Sequence, residues 1–443
     1  MTIYGLSTGQ GRSGIAIIRV SGKEAGNVIK SLTGMKLPVP RLATLRKINY
    51  INTSELIDEG IILWFPGPHS YTGEDMAEFQ VHGSQSVIKA IHRSISEVEN
   101  CRLAEPGEFT KLAFLNGKIN LLKAESIGDL ISSETEIQRK QAIKIMEGRT
   151  SKVFSEIREK LLKILSHIEA KIDFPDEDLP NDILEKIKKT SKAITNTIAK
   201  ILDDGKVGER IREGFKIAIV GPPNSGKSSL MNNLSRREVA IVSEFAGTTR
   251  DVIETHLNID GYPIIISDTA GVRKSKNEIE QKGIKLALKN AEAADLRLVV
   301  IEPKTLDFTG FLKDLFDENS ILVINKSDLG YVKLSRQIEQ MNHVVISVLE
   351  NENINELISK IKNKLKNKFI SNEETLITRE RHRENLLKCL ENLKNFNEKY
   401  EVKDFDKAAE DLRLATRSLG KIVGNVDVED ILDSIFNDFC IGK

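Results

Sequence analysis

The chain has 443 residues, and its 65 Lys and Arg residues balance its 65 Asp and Glu residues, so the formal net charge is zero. That balance excludes a protein that holds nucleic acid by bulk charge, although it allows a local basic patch. No stretch of about 18 uncharged apolar residues predicts a membrane span, and no apolar secretory segment opens the chain. The three cysteines form neither a zinc pattern nor a disulfide framework, which favours a reducing cytoplasm.

Residues 1–118 mix strand and helix patterns. Continuous apolar runs at 14–21 and 61–65 predict buried strands, and apolar residues at helical spacing from 84 to 98 predict a helix. Gly and Pro residues separate these segments. We therefore expect a small α+β domain over residues 1–118.

The next segment has helical periodicity. Apolar residues from Phe154 to Ile172 recur every three or four positions over about five turns, and residues 182–204 predict a lysine-rich, partly exposed helix. Stripes of Leu and Ala return in residues 379–439. We predict one discontinuous helical domain made of residues 119–210 and 376–443; two separate helical domains are the alternative.

Five apolar runs alternate with helical stretches in the segment between these helices. They lie at residues 215–220, 263–267, 296–301, 320–325 and 343–348. This alternation predicts an open, mostly parallel sheet wrapped by helices. Since helical sequence flanks it on both sides, we expect residues 211–375 to form an α/β domain inserted into the helical one.

A phosphate-binding motif follows the first of these strands. Residues 221–228 read GPPNSGKS, which fits G-x-x-x-x-G-K-[ST] directly after a predicted strand. Glycines let backbone N–H groups close around phosphate oxygens. Lys227 would bring its charge to the β- and γ-phosphates, and the Ser228 hydroxyl would hold Mg²⁺.

Three further motifs follow in order, each near a strand's carboxyl end. Residues 245–251 read FAGTTRD and predict a switch-type loop in which Thr249 reaches the metal. Residues 268–271 read DTAG, where Asp268 reaches the magnesium shell and Gly271 can sense the γ-phosphate. Residues 325–328 read NKSD, and a carboxylate there can accept two hydrogen bonds from guanine, a donor pair that adenine lacks.

Together these motifs predict a Mg²⁺·GTP site, and Asp328 disfavours an ATPase. Ser347 would close over the base. The predicted GTP contacts are Asn224, Ser225, Gly226, Lys227, Ser228, Ser229, Ser243, Glu244, Phe245, Ala246, Gly247, Thr248, Thr249, Asp268, Thr269, Ala270, Gly271, Asn325, Lys326, Asp328 and Ser347.

No residue at the usual position can orient the attacking water. Ras-like GTPases place a glutamine after the Asp-x-x-Gly motif, but this chain has Val272, which cannot orient water. Another polar group must act, and Glu280 lies in a segment that could fold over the γ-phosphate. The alternative is that Glu280 is only a surface charge at the start of a helix.

Segments outside the nucleotide motifs carry a family resemblance. They read GIAIIRVSG at 14–22, YTGED at 71–75, PGEFT at 106–110, AFLNGK at 113–118 and CIGK at 440–443. In this order the chain resembles the bacterial and organellar GTPases that modify the tRNA wobble uridine, the MnmE or TrmE family. The resemblance implies three parts: an N-terminal folate-binding domain that dimerises, a central helical domain, and an inserted Ras-like P-loop GTPase domain.

The resemblance also implies chemistry and site residues. Such enzymes work with a flavoprotein called MnmG or GidA, the pair forming a heterotetramer, and add an aminomethyl or carboxymethylaminomethyl group to carbon 5 of the uridine. The carbon comes from 5,10-methylene-tetrahydrofolate, and 5-formyl-tetrahydrofolate is a related ligand. Potassium activates GTP hydrolysis, with Glu280 and Lys227 catalytic. The positions that match the family's K⁺ ligands are Asn224, Ser243, Phe245 and Thr248, and those that match its Mg²⁺ ligands are Ser228 and Thr249. The positions that match its folate contacts are Arg19, Glu78, Lys118 and Lys443, and Cys440 is a candidate thiol at the same site.

One alternative interpretation remains open from the sequence. The chain could be a GTP-regulated RNA-binding or ribosome-assembly switch with no modification chemistry of its own. The N-terminal segments and the CIGK ending favour tRNA modification, and folate binding would discriminate between the two.

Overall fold

A computed structural model describes residues 1–174, 181–237, 254–268, 291–303, 316–330, 334–369, 375–401, 404–426, 432, 435–436, 439 and 442. The chain divides into two compact units. The first comprises Met1–Gly128, Ile145–Glu177 and Lys403–Lys443, and the second comprises Asp129–Lys144 and Asp178–Val402. The three domain boundaries expected from the sequence stay a prediction.

A six-stranded sheet is the centre of the first unit. Its strands are β1 (Thr2–Leu6), β2 (Ser13–Ser21), β3 (Thr44–Asn49), β4 (Leu56–Phe65), β5 (Met76–Gly83) and β6 (Cys101–Leu103). They lie in the order β3-β4-β5-β2-β1-β6, and all neighbours are antiparallel except β1 and β6. The strands predicted at 14–21 and 61–65 are confirmed.

Helices cover one face of this sheet. Alternate strand residues such as Ile18, Ile62 and Phe79 are fully buried against the apolar faces of α1 and α2. The Ser84 hydroxyl accepts a hydrogen bond from the Val87 N–H and so caps α2. The helices that precede residue 149 along the chain are α1 (Ala25–Thr33), α2 (Gln85–Ser96), α3 (Glu108–Leu115), α4 (Leu121–Ile131) and α5 (Glu136–Met146).

Two long helices complete the first unit. They are α6 (Arg149–Asp173) and α13 (Phe405–Val423), which pack against each other. The buried stripe of α6 includes Phe154, Leu161 and Ile168, as its 3.6-residue periodicity predicts. In the second unit α7 (Asn181–Leu202) and α12 (Glu380–Glu401) form a similar pair.

The second sheet has the order β12-β11-β10-β7-β9-β8. Its strands are β7 (Phe215–Val220), β8 (Glu254–Ile259), β9 (Tyr262–Asp268), β10 (Leu296–Ile301), β11 (Ser320–Ile324) and β12 (His343–Val345). All pairs are parallel except β8 with β9. The other described helices of this unit are α8 (Val207–Glu213), α9 (Lys227–Arg237), α10 (Arg336–Glu339) and α11 (Ile354–Phe369).

This arrangement confirms the open, mostly parallel α/β sheet. The five predicted strands are β7, β9, β10, β11 and β12, and the last one ends at Val345 rather than at residue 348. The carboxyl ends of the parallel strands meet at one edge, which is where ligands of such sheets bind. Among the described residues, no helix is long and apolar enough to cross a membrane.

Candidate functional site

The phosphate loop connects β7 to α9. Asn224 adopts a left-handed backbone conformation, with φ of 64°, and Gly226 has φ of 93°. The Lys227 Nζ donates to the carbonyl oxygens of Gly221 (2.9 Å) and Pro222 (2.8 Å), so its ammonium spans the loop. α9 begins at Lys227, and the N–H groups of its first turn favour an anion there. The loop geometry therefore fits phosphate oxygens.

The predicted base-recognition motif contacts this loop directly. Asn325 follows β11 and is almost fully buried, and its Nδ2 donates to the Ser225 carbonyl at 2.9 Å. A Cβ on Gly226 would lie 2.2 Å from that same Nδ2, so only glycine fits. Asn325 also accepts from the Val348 N–H at 3.2 Å. This hydrogen bond joins the base-recognition motif to the phosphate loop, although the two residues lie 100 positions apart.

Asp328 and Ser347 form a second contact at this edge. The Ser347 hydroxyl donates to Asp328 Oδ1 at 2.6 Å, and it accepts from the Glu350 N–H at 3.1 Å. Ser347 is fully buried, while Asp328 is exposed on a short 3₁₀ turn at Ser327–Leu329. A carboxylate oxygen can accept more than one hydrogen bond, so the exposed Asp328 carboxylate can still accept guanine's paired donors.

Of the other predicted GTP contacts, some lie in the described part of the chain and the rest lie outside it. Ser228 and Ser229 lie exposed in the first turn of α9. Asp268 is the last residue of β9 and pairs with Ile219 of β7. The remaining predicted residues lie outside the described part of the chain: Ser243, Glu244, Phe245, Ala246, Gly247, Thr248, Thr249, Thr269, Ala270, Gly271, Val272 and Glu280.

A separate polar cluster lies in the first unit, where Arg19 of β2 pairs across the sheet with Glu78 of β5. The Arg19 Nε and Nη2 atoms both donate to Glu78 Oε1, at 3.0 and 2.8 Å. The Arg19 guanidinium also lies 5.5 Å from the ring centre of Tyr71 and 5.7 Å from that of Phe109. Burial raises the pKa of Tyr71, whose hydroxyl is 2.9 Å from that of Thr110.

The end of the chain reaches this cluster. The Gly442 carbonyl accepts from the Ser7 hydroxyl at 2.8 Å and lies 3.5 Å from Arg19 Nη1. Gly442 has φ of 92°, and a Cβ there would lie 2.1 Å from the Leu6 carbonyl oxygen. Cys440 and Lys443 lie outside the described residues. The structure thus places a described tail residue beside Arg19 and Glu78.

Lys118 lies between α3 and α4, against the loop that precedes β5. Its Nζ donates to the Pro68 carbonyl at 2.7 Å, and the Asn116 side chain donates to the Thr72 carbonyl at 2.7 Å. Thr72 is in turn bonded to the Ser21 hydroxyl at the end of β2. Lys118 is exposed, so it can present its charge to an anionic ligand.

Some residues at these sites were not predicted from the sequence. Nothing in the sequence singles out Tyr71 or Phe109 apart from the motifs that contain them. An aromatic residue in each of these two motifs could have suggested that both rings contact one cationic side chain. Ser7 gave no sequence signal, because its contact with Gly442 depends on the fold. Glu302, which follows β10, binds Lys326 across the nucleotide edge.

Similarity to known proteins identifies the family. A family model described as the MnmE helical domain matches residues 121–440, and one described as the GTP-binding protein TrmE N-terminus matches residues 2–118. The tRNA modification GTPase MnmE of Pelagibacter ubique is 72% identical over 443 residues and covers all of both chains. The proteins of the same name from Parvibaculum lavamentivorans and Rickettsia bellii are 45% and 44% identical, again over the whole of both chains. The chain therefore belongs to the MnmE, or TrmE, family of tRNA modification GTPases.

Proposed function

We propose that this enzyme, a GTP hydrolase acting in tRNA modification, couples GTP hydrolysis to alkylation of the wobble uridine at carbon 5. It would add an aminomethyl or carboxymethylaminomethyl group together with a flavoprotein of the MnmG or GidA type. The observation that carries the nucleotide part is the Asn325–Ser225 hydrogen bond, which joins base recognition to the phosphate loop. That hydrogen bond supports the proposal that the guanine contacts and the phosphate contacts lie at one edge of the sheet.

The residues fit a nucleotide with its magnesium ion. Gly226 leaves the space that a Cβ would fill, and Ser228 lies exposed in the first turn of α9. Ser228 and Thr249 would hold Mg²⁺, which neutralises charge on the β- and γ-phosphates. Lys227, now bonded to two loop carbonyls, would exchange them for phosphate oxygens. Glu280 would orient the attacking water.

Potassium is proposed as the activating cation. Asn224 is exposed on the phosphate loop, so its amide oxygen is available to a cation beside the phosphates. Ser243, Phe245 and Thr248 would supply the remaining oxygens. A monovalent cation there would provide positive charge that an arginine finger supplies in other GTPases.

The polar cluster of the first unit is proposed as the folate site. Arg19 and Glu78 offer a charged donor and a carboxylate, and a carboxylate can pair with the amino edge of a pterin. Tyr71 and Phe109 add aromatic surface next to Arg19. Lys118 and Lys443 would bind the folate's glutamate tail. Bound tetrahydrofolate would supply the one-carbon unit, and Cys440 would lie beside it.

The proposed assembly is a homodimer that joins the flavoprotein as a heterotetramer in the cytoplasm. The function can be tested by reconstitution from the purified chain, an MnmG-type flavoprotein, undermodified tRNA, GTP and methylene-tetrahydrofolate labelled at the transferred carbon. Labelled wobble uridine should form, and should not form with the Lys227→Ala variant. GTP hydrolysis with no label in the tRNA would contradict the proposal and favour a GTP-regulated switch.

A further inference from the structure

Lys326 lies in the middle of the base-recognition motif and has a partner of its own. Its Nζ donates to Glu302 Oε1 at 2.7 Å. Both side chains are shielded, with 31% of the lysine and 19% of the glutamate exposed. The Lys326 backbone is left-handed, with φ of 66°, a conformation that few non-glycine residues adopt. The backbone and the ion pair together fix where this side chain lies.

The position of Glu302 explains why it reaches Lys326. Glu302 directly follows β10, which lies between β7 and β11 in the sheet. β7 leads into the phosphate loop and β11 leads into Asn325, so Glu302 stands at the carboxyl edge between the two halves of the nucleotide site. An unpaired carboxylate there would repel an anionic nucleotide. Pairing with Lys326 neutralises it.

The neighbours of Lys326 are held in the same way. Asn325 is fixed to the Ser225 carbonyl, and Asp328 to the Ser347 hydroxyl. The Ser327 hydroxyl donates to Glu352 Oε2 at 3.4 Å, so every side chain of the motif has a partner outside it. Those partners come from three different segments of the sheet edge.

We propose that Glu302 is a positioning residue for guanine-nucleotide binding. It holds the Lys326 ammonium by the hydrogen bond to its carboxylate, so that the lysine's aliphatic stem borders the base. The inference rests on the proposed nucleotide site. Because Glu302 acts through Lys326 and not on the reacting phosphate, it should affect nucleotide affinity and not the rate of hydrolysis at saturation.

The test is a double-mutant cycle with the full chain, measuring Kd for GTP and for GDP together with kcat. Glu302→Ala should raise both Kd values about fivefold, since partly exposed ion pairs contribute modestly. Lys326→Ala should weaken binding at least as much. Adding Glu302→Ala to Lys326→Ala should then cause no further loss of affinity, and it should regain part of the loss because it removes the unpaired carboxylate. Glu318→Ala, which removes an exposed carboxylate elsewhere in the same unit, is the matched control.

Three results would overturn the inference. The first is an unchanged Kd in Glu302→Ala. The second is an equal loss of affinity in the presence and absence of Lys326. The third is a fall in kcat and in the thermal unfolding midpoint, which would indicate a general structural role. Lys227→Ala is measured alongside. If that variant kept full GTP affinity, the proposed nucleotide site itself would be wrong, which separates the two failures.

Discussion

The carbonyl oxygen of Gly442 lies 3.5 Å from Nη1 of Arg19, although 423 residues separate them along the chain. Ser7 donates to the same carbonyl, so the tail is anchored from two segments. The buried side chains of Leu432, Phe436 and Phe439 lead to this point and pack with Leu121 and Ala124 of α4. Gly442 thus belongs to the N-terminal polar cluster.

Replacing Gly442 should separate folate binding from GTP hydrolysis. Gly442→Ala puts a methyl group 2.1 Å from the Leu6 carbonyl oxygen in a left-handed backbone, so the tail must move away from Arg19. We expect 5-formyl-tetrahydrofolate, measured by calorimetry, to bind at least about tenfold more weakly, since a displaced tail loses a charge-assisted contact. GTP hydrolysis should persist.

The control for that substitution is Gly34→Ala. Gly34 also has a positive φ, of 66°, but no other atom lies within 4 Å of the point that a Cβ would occupy. It should lower stability by about 1 kcal/mol without affecting folate binding. Equal folate affinity in the wild type and in Gly442→Ala would show that the tail is not part of the site.

Removing residues 440–443 should abolish tRNA modification and weaken folate binding.

Asp328→Asn should change nucleotide preference. The amide keeps one acceptor but turns the other position into a donor, which opposes guanine's N–H and matches the additional carbonyl of xanthine. We expect GTP affinity to fall by on the order of a hundredfold, while xanthosine triphosphate gains affinity. Fluorescent-nucleotide competition measures both. Ser347→Ala, which removes the hydroxyl bound to Asp328, should weaken GTP with no gain for the xanthine nucleotide. Unchanged GTP affinity in Asp328→Asn would remove this residue from the base site.

Potassium should accelerate GTP hydrolysis. Rates in KCl should exceed those in NaCl at equal ionic strength by about tenfold or more, as expected for a group that replaces an arginine finger. Asn224→Ala should erase the difference, because it removes the proposed side-chain ligand on the phosphate loop. Phosphate release at saturating GTP is the measurement. Equal rates in the two salts with the wild-type chain would contradict the proposed cation site.

Glu280→Ala should lower kcat about 10²- to 10³-fold, because positioning of the attacking water matters in the transition state. GTP affinity should change little. The measurement is single-turnover hydrolysis together with equilibrium binding of a non-hydrolysable analogue. A parallel loss of affinity would indicate instead that Glu280 holds the surrounding segment in place.

Two of the three thiols should be unreactive at neutral pH. Burial raises the pKa of Cys101 to about 11 and that of Cys389 to about 12, so the thiolate of Cys101 is only about one thousandth of the population at pH 8. Both should become reactive only as pH rises towards those values. Brief alkylation with iodoacetamide followed by peptide mass spectrometry should therefore label neither residue in the folded chain. Labelling of Cys101 at pH 7 would contradict this shielding.

The sheet of the second unit illustrates what the sequence could and could not predict. Uninterrupted apolar runs gave β7, β9, β10 and β11 because both faces of these parallel strands are covered. The strand β8 was missed, since it lies at the sheet edge and includes His256 and Asn258, both half-buried. Its signal was the Asp260–Gly261 pair, where both residues have positive φ in a two-residue hairpin turn.

The nucleotide motifs were predictable from local patterns, whereas only the family resemblance associated the C-terminal residues with Arg19 and Glu78. Asn325 and Asp328 lie where strands end, so spacing along the chain brings them to the phosphate loop. The contacts of Asn325 with Ser225, of Asp328 with Ser347 and of Lys326 with Glu302 depend on side-chain geometry that spacing does not encode. The contact of Gly442 with Arg19 and Ser7 joins opposite ends of the chain, and local patterns carry no information about such a pairing.

The most direct test of the function is nucleoside analysis of tRNA from a strain that lacks this chain, complemented with the wild type or with single variants. Mass spectrometry of digested tRNA should show wobble uridine without its carbon-5 group in the deletion strain and full modification with the wild type. Lys227→Ala and the chain lacking residues 440–443 should each fail to restore it, through loss of GTP binding and of the folate site respectively. Normal levels of the modified uridine in the deletion strain would contradict the account.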